Sequence, residues 1–200
     1  MSQIIYLASG NAHKLKELQS ALDEADLAVQ VFGPDEIGGM PEVEETGSTF
    51  EANALLKACG LQSNGPEDGW YLADDSGLEV DGLDGRPGVI SARYAGEPCD
   101  DEANNDKVLE EMKDVPEQSR NCRFRCVLAL VGDGLEETFS GACEGKLLFE
   151  RQGTGGFGYD PLFLPNESES TFAEISLNEK AKISHRARAL TKLIDWLEAQ

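Results

Sequence analysis

The chain has 200 residues, and its 38 acidic side chains outnumber 17 basic ones to give a net charge of −21 at pH 7. This length suits a single domain, residues 1–200, with a core large enough to fold without disulfides. A nucleic-acid polymer is not expected as a partner, because phosphate backbones require a basic surface. A small anionic ligand remains compatible with the charge, since a few converging cations can bind it.

The cysteine content indicates a reducing compartment. The chain has 5 cysteines, an odd number with no CxxC pair, and only 2 histidines. A structural zinc site is therefore not expected, and reduced thiols in a cytoplasmic protein are favoured. The N-terminal residues are typical of a first strand rather than a signal peptide, and no stretch is suited to spanning a membrane.

The order of hydrophobic patterns predicts an α/β fold with a long mixed β-sheet flanked by helices. Strands are predicted at 3–8, 28–32, 70–74, 123–131, 136–142 and 146–150. Helices are predicted at 12–25, 48–62, 101–113 and 185–198. In the second helix, Ser48 and Glu51 resemble a capping box. The predicted buried stripe of that helix consists of Ala52, Leu55, Leu56 and Cys59.

Two adjacent carboxylates, Asp74 and Asp75, end an apolar run and are followed by Ser76 and Gly77. The glycine predicts a turn that ends the strand. Neighbouring residues of a strand point to opposite faces, so the two aspartates are expected to have different roles. Carboxylates at the end of a strand favour a metal and polar-ligand site, although a solvated turn is the alternative.

A second candidate site is the junction between the first strand and the first helix, Ser9-Gly10-Asn11-Ala12-His13-Lys14. Backbone N–H groups and the helix dipole at such a junction favour a phosphate. The spacing matches neither a Walker P-loop nor a dinucleotide fingerprint. In the alternative, Asn11 is only a helix cap and Lys14 a surface charge.

Further along the chain, Glu45 precedes a glycine turn and is a candidate metal ligand. Lys57 lies two turns into the following helix and could reach a phosphate. A loop at 153–161 contains four glycines around two aromatic residues. Such a loop is useful where the backbone must approach a ligand, and Phe157 is well placed to stack on a planar base. The alternative is a tight turn with its aromatic rings in the core.

These motifs together resemble the inosine/xanthosine triphosphate pyrophosphatases, and the resemblance covers nearly the whole chain. The matching elements are Ser9-x-Asn11-x-x-Lys14, Glu45-Thr46-Gly47-x-Thr49-Phe50-x-x-Asn53-x-x-x-Lys57, Ala73-Asp74-Asp75-Ser76-Gly77-Leu78, Pro87-Gly88-Val89-x-Ser91-Ala92-Arg93-Tyr94-Ala95-Gly96, Gly155-Gly156-Phe157-Gly158-Tyr159-Asp160-Pro161 and Ser184-His185-Arg186. The visible variation is Ser9, where the family often has threonine, and both side chains supply a hydroxyl.

The resemblance implies a two-lobed α/β fold around a long mixed sheet, with the active site in the cleft between the lobes. It also implies a homodimer that uses Mg²⁺ to hydrolyse ITP, dITP and XTP to the monophosphate and pyrophosphate. Three alternatives stay open: a broader nucleotide pyrophosphatase acting on a modified pyrimidine triphosphate, a non-catalytic nucleotide-binding regulator, and an interaction module without a small ligand.

The resemblance further implies a role for each matching residue. Asp75 would be the general base and a metal ligand, Glu45 a second metal ligand, and Asp74 would support the metal or position water. The triphosphate would be contacted by Ser9, Gly10, Asn11, Ala12, His13, Lys14 and Lys57, and Ser76 would also touch substrate. The base pocket would consist of Phe157, Gly158, Tyr159, Asp160, Lys180, His185 and Arg186.

Overall fold

A computed structural model describes residues 3–200, and for His13 it describes the backbone alone. Any substrate contact by the His13 side chain therefore lies outside the described part of the chain. The strands of this part are β1 (Gln3–Leu7), β2 (Val29–Phe32), β3 (Trp70–Val80), β4 (Asn121–Gly132), β5 (Leu135–Leu147) and β6 (Phe163–Pro165). Its α-helices are α1 (Ala12–Glu24), α2 (Phe50–Gln62), α3 (Asp101–Glu111), α4 (Leu177–Ile183) and α5 (His185–Glu198).

The strands form a six-stranded sheet in the order β2-β1-β3-β4-β5-β6. β1 runs parallel to both β2 and β3, whereas β6 runs antiparallel to β5. β4 and β5 are neighbours joined by two residues, Asp133 and Gly134, a connection that only antiparallel strands can make. The sheet is therefore mixed and the protein is of the predicted α/β class.

The chain divides into two compact units. Unit 1 consists of Met1–Asp75, Val127–Ser140 and Ala189–Gln200, and unit 2 consists of Ser76–Cys126 and Gly141–Arg188. Each unit has buried apolar side chains of its own. In unit 2 the rings of Phe124, Phe163 and Phe172 pack together at centroid distances of 4.7 to 5.9 Å. The single domain expected for residues 1–200, with its site in a cleft, stays a prediction.

The predicted turn at Gly77 is wrong, because β3 continues through it to Val80. β3 pairs with β1 only as far as Leu72, and beyond that point it continues as a strand next to β4, so the extended sheet outweighs the preference of glycine for turns. The predicted strands at 136–142 and 146–150 are instead one strand, β5. The short elements β6 and α4 were not predicted.

The predicted buried stripe of α2 is also wrong. The helix is capped by Thr49, whose hydroxyl accepts from the Ala52 amide at 3.1 Å, rather than by Ser48. Leu56 is 38% exposed, and the buried side of the helix carries Phe50, Asn53, Ala54, Ala58 and Leu61. Asn53 is polar, so a prediction based on hydrophobicity places it on the exposed face. It is buried because it makes hydrogen bonds in the candidate site.

Of the described helices, none combines the length and the apolar character that crossing a membrane would require. The cysteines at 59, 99, 122, 126 and 143 are all free thiols.

Candidate active site

Unit 1 contains a carboxylate cluster, which we define as Glu45, Asp74 and Asp75 with Lys14 and Lys57. The Lys14 ammonium on α1 donates to both oxygens of Asp74, at 2.8 and 2.9 Å. The Lys57 ammonium on α2 donates to Oδ1 of Asp75 at 2.8 Å. The two adjacent aspartates therefore engage different lysines, which agrees with the opposite directions of neighbouring side chains on β3.

Glu45 and Asn53 complete the surroundings of Asp75. The Lys57 ammonium lies 3.4 Å from Oε1 of Glu45, and the Asn53 amide donates to Oδ2 of Asp75 at 3.4 Å. Oδ1 of Asn53 accepts from the Gly47 amide at 2.8 Å. A Cβ at position 47 would lie 2.5 Å from that oxygen, so a glycine is needed there. Asn53 thus connects the segment that carries Glu45 to the aspartate on β3.

The environment changes the proton affinity of both members of the central pair. Burial raises the pKa of Asp75, and the charge of Glu45 adds to this effect, while Lys57 and Asn53 act against it. Burial lowers the pKa of Lys57, but the hydrogen bond and charge of Asp75, with Glu45 and Asp74, raise it by more. Lys57 is therefore a stable cation, and Asp75 has a raised affinity for a proton.

The donor set of this cluster fits a hard divalent cation. Glu45 and Asp75 both contact the Lys57 ammonium, so their carboxylates already converge on one positive centre. Mg²⁺ is commonly bound through one or two carboxylates, with substrate phosphates and water as its other ligands. Two converging carboxylates next to a junction that favours phosphate thus suit a cation that shares a phosphate ligand.

The junction between β1 and α1 lies in the same unit. The Asn11 amide donates to Oγ of Ser9 at 3.2 Å, and α1 begins at Ala12. Gly10, Asn11 and Ala12 are exposed. An exposed helix N-terminus presents N–H groups and a positive dipole end to an anion, and Lys14 adds a full charge in its first turn.

Unit 2 contains a pocket of about 150 Å³, which we call the unit 2 pocket. It brings together every residue predicted for the base pocket, and the predicted substrate residue on β3 as well. These are Ser76, Phe157, Gly158, Tyr159, Asp160, Lys180, His185 and Arg186. It is also lined by residues that were not predicted as site residues: Gly77, Ser91, Ala92, Asp101 and Phe124.

The exposed ring of the unit 2 pocket is Phe157, which is 67% accessible. The Lys180 ammonium lies 4.7 Å from the centre of this ring and 5.0 Å from that of Phe172, and it forms an ion pair with Asp160. Oδ2 of Asp160, a residue only 2% exposed, also accepts from the Phe157 amide at 3.0 Å. Asp160 therefore holds the lysine and the loop together, a role that its sequence position did not predict.

The loop at 153–161, which we call the glycine loop, depends on the absence of a side chain at Gly156. This residue has a φ of +72°, and a Cβ there would lie 2.1 Å from Oδ2 of Asp160. Both the backbone conformation and the close approach to the carboxylate thus require glycine.

Two further rings form the buried walls of the unit 2 pocket. His185 is 8% exposed and stacks on Phe124, with centroids 5.0 Å apart and an interplanar angle of 16°. Tyr159 is buried, and its hydroxyl donates to the Ser91 carbonyl at 2.8 Å. Burial raises the pKa of Tyr159, with smaller contributions from Tyr94 and Asp101. Tyr159 is thus a neutral core ring whose edge reaches the pocket.

The site residues that were not predicted differ in how clearly the sequence indicates them. Phe124 lies in an alternating stretch of β4, so its inward direction could have been read from the pattern. Asp101 follows Asp100 and precedes Glu102, so it resembles any solvated acidic cluster. The buried position of Asn53 between Gly47 and Asp75 follows from contacts that no local pattern indicates.

Comparison with known proteins gives a consistent result over the whole chain. The model of the Ham1 family matches residues 5–196. A dITP/XTP pyrophosphatase of Opitutus terrae is 45% identical over 198 residues, covering 96% of this chain and 97% of that protein. One of Desulforamulus reducens is 48% identical over 194 residues, covering 96% of this chain and 94% of that protein.

Solved structures agree with these relatives. A HAM1 protein from Coxiella burnetii is 38% identical, with a TM-score of 0.90 over 99% of this chain and 100% of that one. The Ham1 protein of Staphylococcus aureus is 37% identical, with a TM-score of 0.89 over 98% of this chain and 99% of that one. The family match, the sequence identity and the shared fold all extend over nearly the full length, and this chain belongs to the Ham1 family.

Proposed function

We propose that this protein hydrolyses deaminated purine nucleoside triphosphates, ITP, dITP and XTP, to the monophosphate and pyrophosphate. The observation that carries the proposal is the unit 2 pocket, in which an exposed aromatic ring accompanies the cationic or N–H donors Lys180, His185 and Arg186. The near full-length similarity to proteins named dITP/XTP pyrophosphatase supports it.

The purine edge explains the proposed selectivity. Hypoxanthine and xanthine carry an oxygen at position 6, which accepts from the donors of the unit 2 pocket. Adenine carries an amino group there, so its binding would leave those donors unpaired. A site built to bond a substrate oxygen rejects an analogue without it because unpaired buried groups keep their full desolvation cost. Phe157 offers its exposed face for stacking on the base.

In this proposal the carboxylate cluster acts on the phosphates. Lys14, Lys57 and the N-terminus of α1 bind the triphosphate, which requires each lysine to exchange its present carboxylate partner for phosphate oxygens. Asp75 takes the proton of the attacking water, a role suited to its raised pKa. Phosphoryl transfer depends mainly on positioning and charge stabilisation, which these groups supply.

Mg²⁺ is the proposed cofactor, held by Glu45 and Asp75. When bound, it would neutralise the negative charge that develops on the phosphate oxygens. Asp74, proposed as a supporting group, is paired with Lys14 and contributes through its charge. Asp75 and Ser76 are consecutive residues of β3, so one strand carries both the proposed general base and a residue of the unit 2 pocket.

We further propose that the protein is a cytoplasmic homodimer, in line with the family resemblance and the free cysteines. Sedimentation velocity at micromolar concentration tests the dimer, and a single species with the mass of one chain would refute it.

The activity is tested by pyrophosphate release from ITP, XTP, dUTP, ATP and GTP, with and without MgCl₂. We expect release from ITP and XTP to exceed that from ATP by about 10⁴-fold, the discrimination reached by a site built to hydrogen-bond a substrate group. Removal of the divalent cation with EDTA should abolish it. Equal turnover of all five nucleotides would refute the proposed substrate class, and a preference for dUTP would favour the pyrimidine alternative.

A further inference from the structure

The glycine loop of the unit 2 pocket is held from outside by α3. The amide of Gly158 donates to Oδ2 of Asp101 at 2.7 Å, and the carbonyl of Gly158 accepts from Nδ2 of Asn105 at 2.9 Å. Asp101 and Asn105 lie one turn apart, so they project from the same side of the helix. The backbone N–H and the backbone C=O of Gly158 are therefore both bound by side chains of α3.

Asn105 is shaped by this contact. It is completely buried, and its Nδ2 also donates to the Asp101 carbonyl at 2.8 Å. Its Oδ1 is buried and has no hydrogen-bond partner in the described part of the chain. Exchanging the amide's nitrogen and oxygen would place the oxygen against two carbonyls, so the observed orientation is the one the surroundings require. A buried amide whose oxygen has no partner costs free energy of folding, so the two bonds donated by Nδ2 must account for an asparagine at this position.

The position that α3 holds lies between two residues of the pocket. Gly158 has a φ of +58°, is preceded by the exposed Phe157 and is followed by the buried Tyr159. Fixing its peptide groups limits the direction in which Phe157 can present its ring. The loop itself is rich in glycine and has high conformational freedom when it is not held.

We propose that Asp101 and Asn105 are positioning residues for base binding, acting through Gly158 on the orientation of Phe157. This inference rests on the proposed function, in which the unit 2 pocket receives the base. Neither side chain is required to touch the phosphates. Their loss should therefore weaken recognition of the base and leave phosphate affinity unchanged.

The test uses Asp101→Ala and Asn105→Leu in the full-length protein, with Glu102→Ala as the matched control. Glu102 lies beside Asp101 in the first turn of α3 and is exposed, but its carboxylate pairs with Arg151 instead of the loop. Asp101→Asn retains an oxygen that can accept from Gly158, so it should restore most of the lost affinity.

The kinetic readout compares two ligands. We expect the KM for ITP to rise about tenfold in Asp101→Ala and Asn105→Leu, with kcat changed less, as for loss of one or two hydrogen bonds. The inhibition constant of inorganic tripolyphosphate, which has no base, should stay within about twofold of wild type. A parallel loss of affinity for both ligands would indicate general damage and overturn the proposal.

A second readout needs no substrate. Hydrogen exchange of the peptide covering 153–160 should accelerate in Asp101→Ala and Asn105→Leu but not in Glu102→Ala. Unchanged exchange, or an unchanged KM, in both loop variants would overturn the positioning role. If the wild-type protein hydrolysed none of the nucleotides, the proposed function would fail, while the exchange experiment would still decide whether α3 holds the loop.

Discussion

In the carboxylate cluster of unit 1, the polar side chains pair with one another, lysine with aspartate, and come from short sequence motifs. In the unit 2 pocket, the key groups are held through backbone atoms: Asp160 binds the Phe157 amide, and α3 binds both polar groups of Gly158. The first site is thus organised by charge and the second by loop geometry. Removing a charged group should therefore impair the carboxylate cluster of unit 1 most. Adding a methyl group to a glycine of the loop can impair ligand binding in the unit 2 pocket.

The largest effect is expected for Asp75→Asn. Removal of the proposed base should lower kcat by about 10³-fold, and nucleotide affinity should persist because the binding groups of unit 2 are untouched. Pyrophosphate release and equilibrium binding of ITP measure the two quantities. Asp68→Asn, an exposed acid of the same unit, is the control. Turnover within tenfold of wild type would exclude Asp75 as the general base.

A smaller effect on activity, exerted through KM rather than kcat, is expected for Gly156→Ala. The new Cβ would lie 2.1 Å from the Asp160 carboxylate, so the loop or the carboxylate must move. We expect the KM for ITP to rise about tenfold or more, since the ion pair with Lys180 and the contact with the Phe157 amide are both disturbed.

Gly134→Ala is the matched control for this variant. Gly134 also has a left-handed backbone, with a φ of +69°, but a Cβ there meets no atom within 4 Å. Gly134→Ala should lose about 1 kcal/mol of unfolding free energy from backbone strain, Gly156→Ala should lose more because its Cβ also meets the Asp160 carboxylate, and only Gly156→Ala should lose affinity. Equal KM values in the two variants would show that the steric contact with Asp160 is unimportant for binding.

The same contrast explains what could be predicted from the sequence. Glu45, Asp74, Asp75 and Lys57 lie in compact motifs whose chemistry is visible in their residue types, and the structure places them together. The opposite directions of the two aspartates followed from the alternation of a strand. The predicted turn at Gly77 was wrong, because the continuation of β3 beside β4 is a property of the sheet and not of the local sequence.

The parts that could not be predicted depend on distant contacts. Asn53 is buried by its bonds to Gly47 and Asp75, so the buried face of α2 turns towards Asn53 and away from Leu55 and Leu56. Asp101 and Asn105 act on a residue more than 50 positions away in the chain, at sequence separations of 57 and 53. Hydrophobic periodicity reports which face is apolar, but it cannot report a polar side chain that is buried by its partner.

Within unit 1, the two lysines provide a finer comparison. Lys57 is 15% exposed and contacts two carboxylates, whereas Lys14 is 29% exposed and pairs with one. Lys57→Gln should therefore cost about 2–3 kcal/mol of unfolding free energy, because it removes the more buried cation from two carboxylates, and Lys14→Gln about 1 kcal/mol, because it removes a more exposed cation from one. Urea denaturation at pH 7.5 measures both. A larger loss in Lys14→Gln would contradict the assignment of Lys57 to the buried centre of the cluster.

The smallest effect concerns pH and tests whether side-chain charge matters for stability in unit 2. Burial, with the hydrogen bond and charge of Glu111, raises the pKa of Tyr94 from 10.0 to about 12. The neutral phenol is thus favoured in the folded state, and its contribution to stability is complete below pH 10 and is lost as the pH rises towards 12.

Tyr94→Phe should remove this dependence. The phenol donates to Oε2 of Glu111 at 2.6 Å and accepts from Arg86 at 3.2 Å, so the variant should be less stable at pH 8. Between pH 9 and pH 11.5 its unfolding free energy should fall less steeply than that of wild type, by up to about 1 kcal/mol near pH 11. Urea midpoints at half-unit intervals of pH measure the difference. Parallel curves would mean that the phenol titrates alike in the folded and unfolded chains, and unit 2 would then owe its stability to packing and backbone contacts without a measurable contribution from this group.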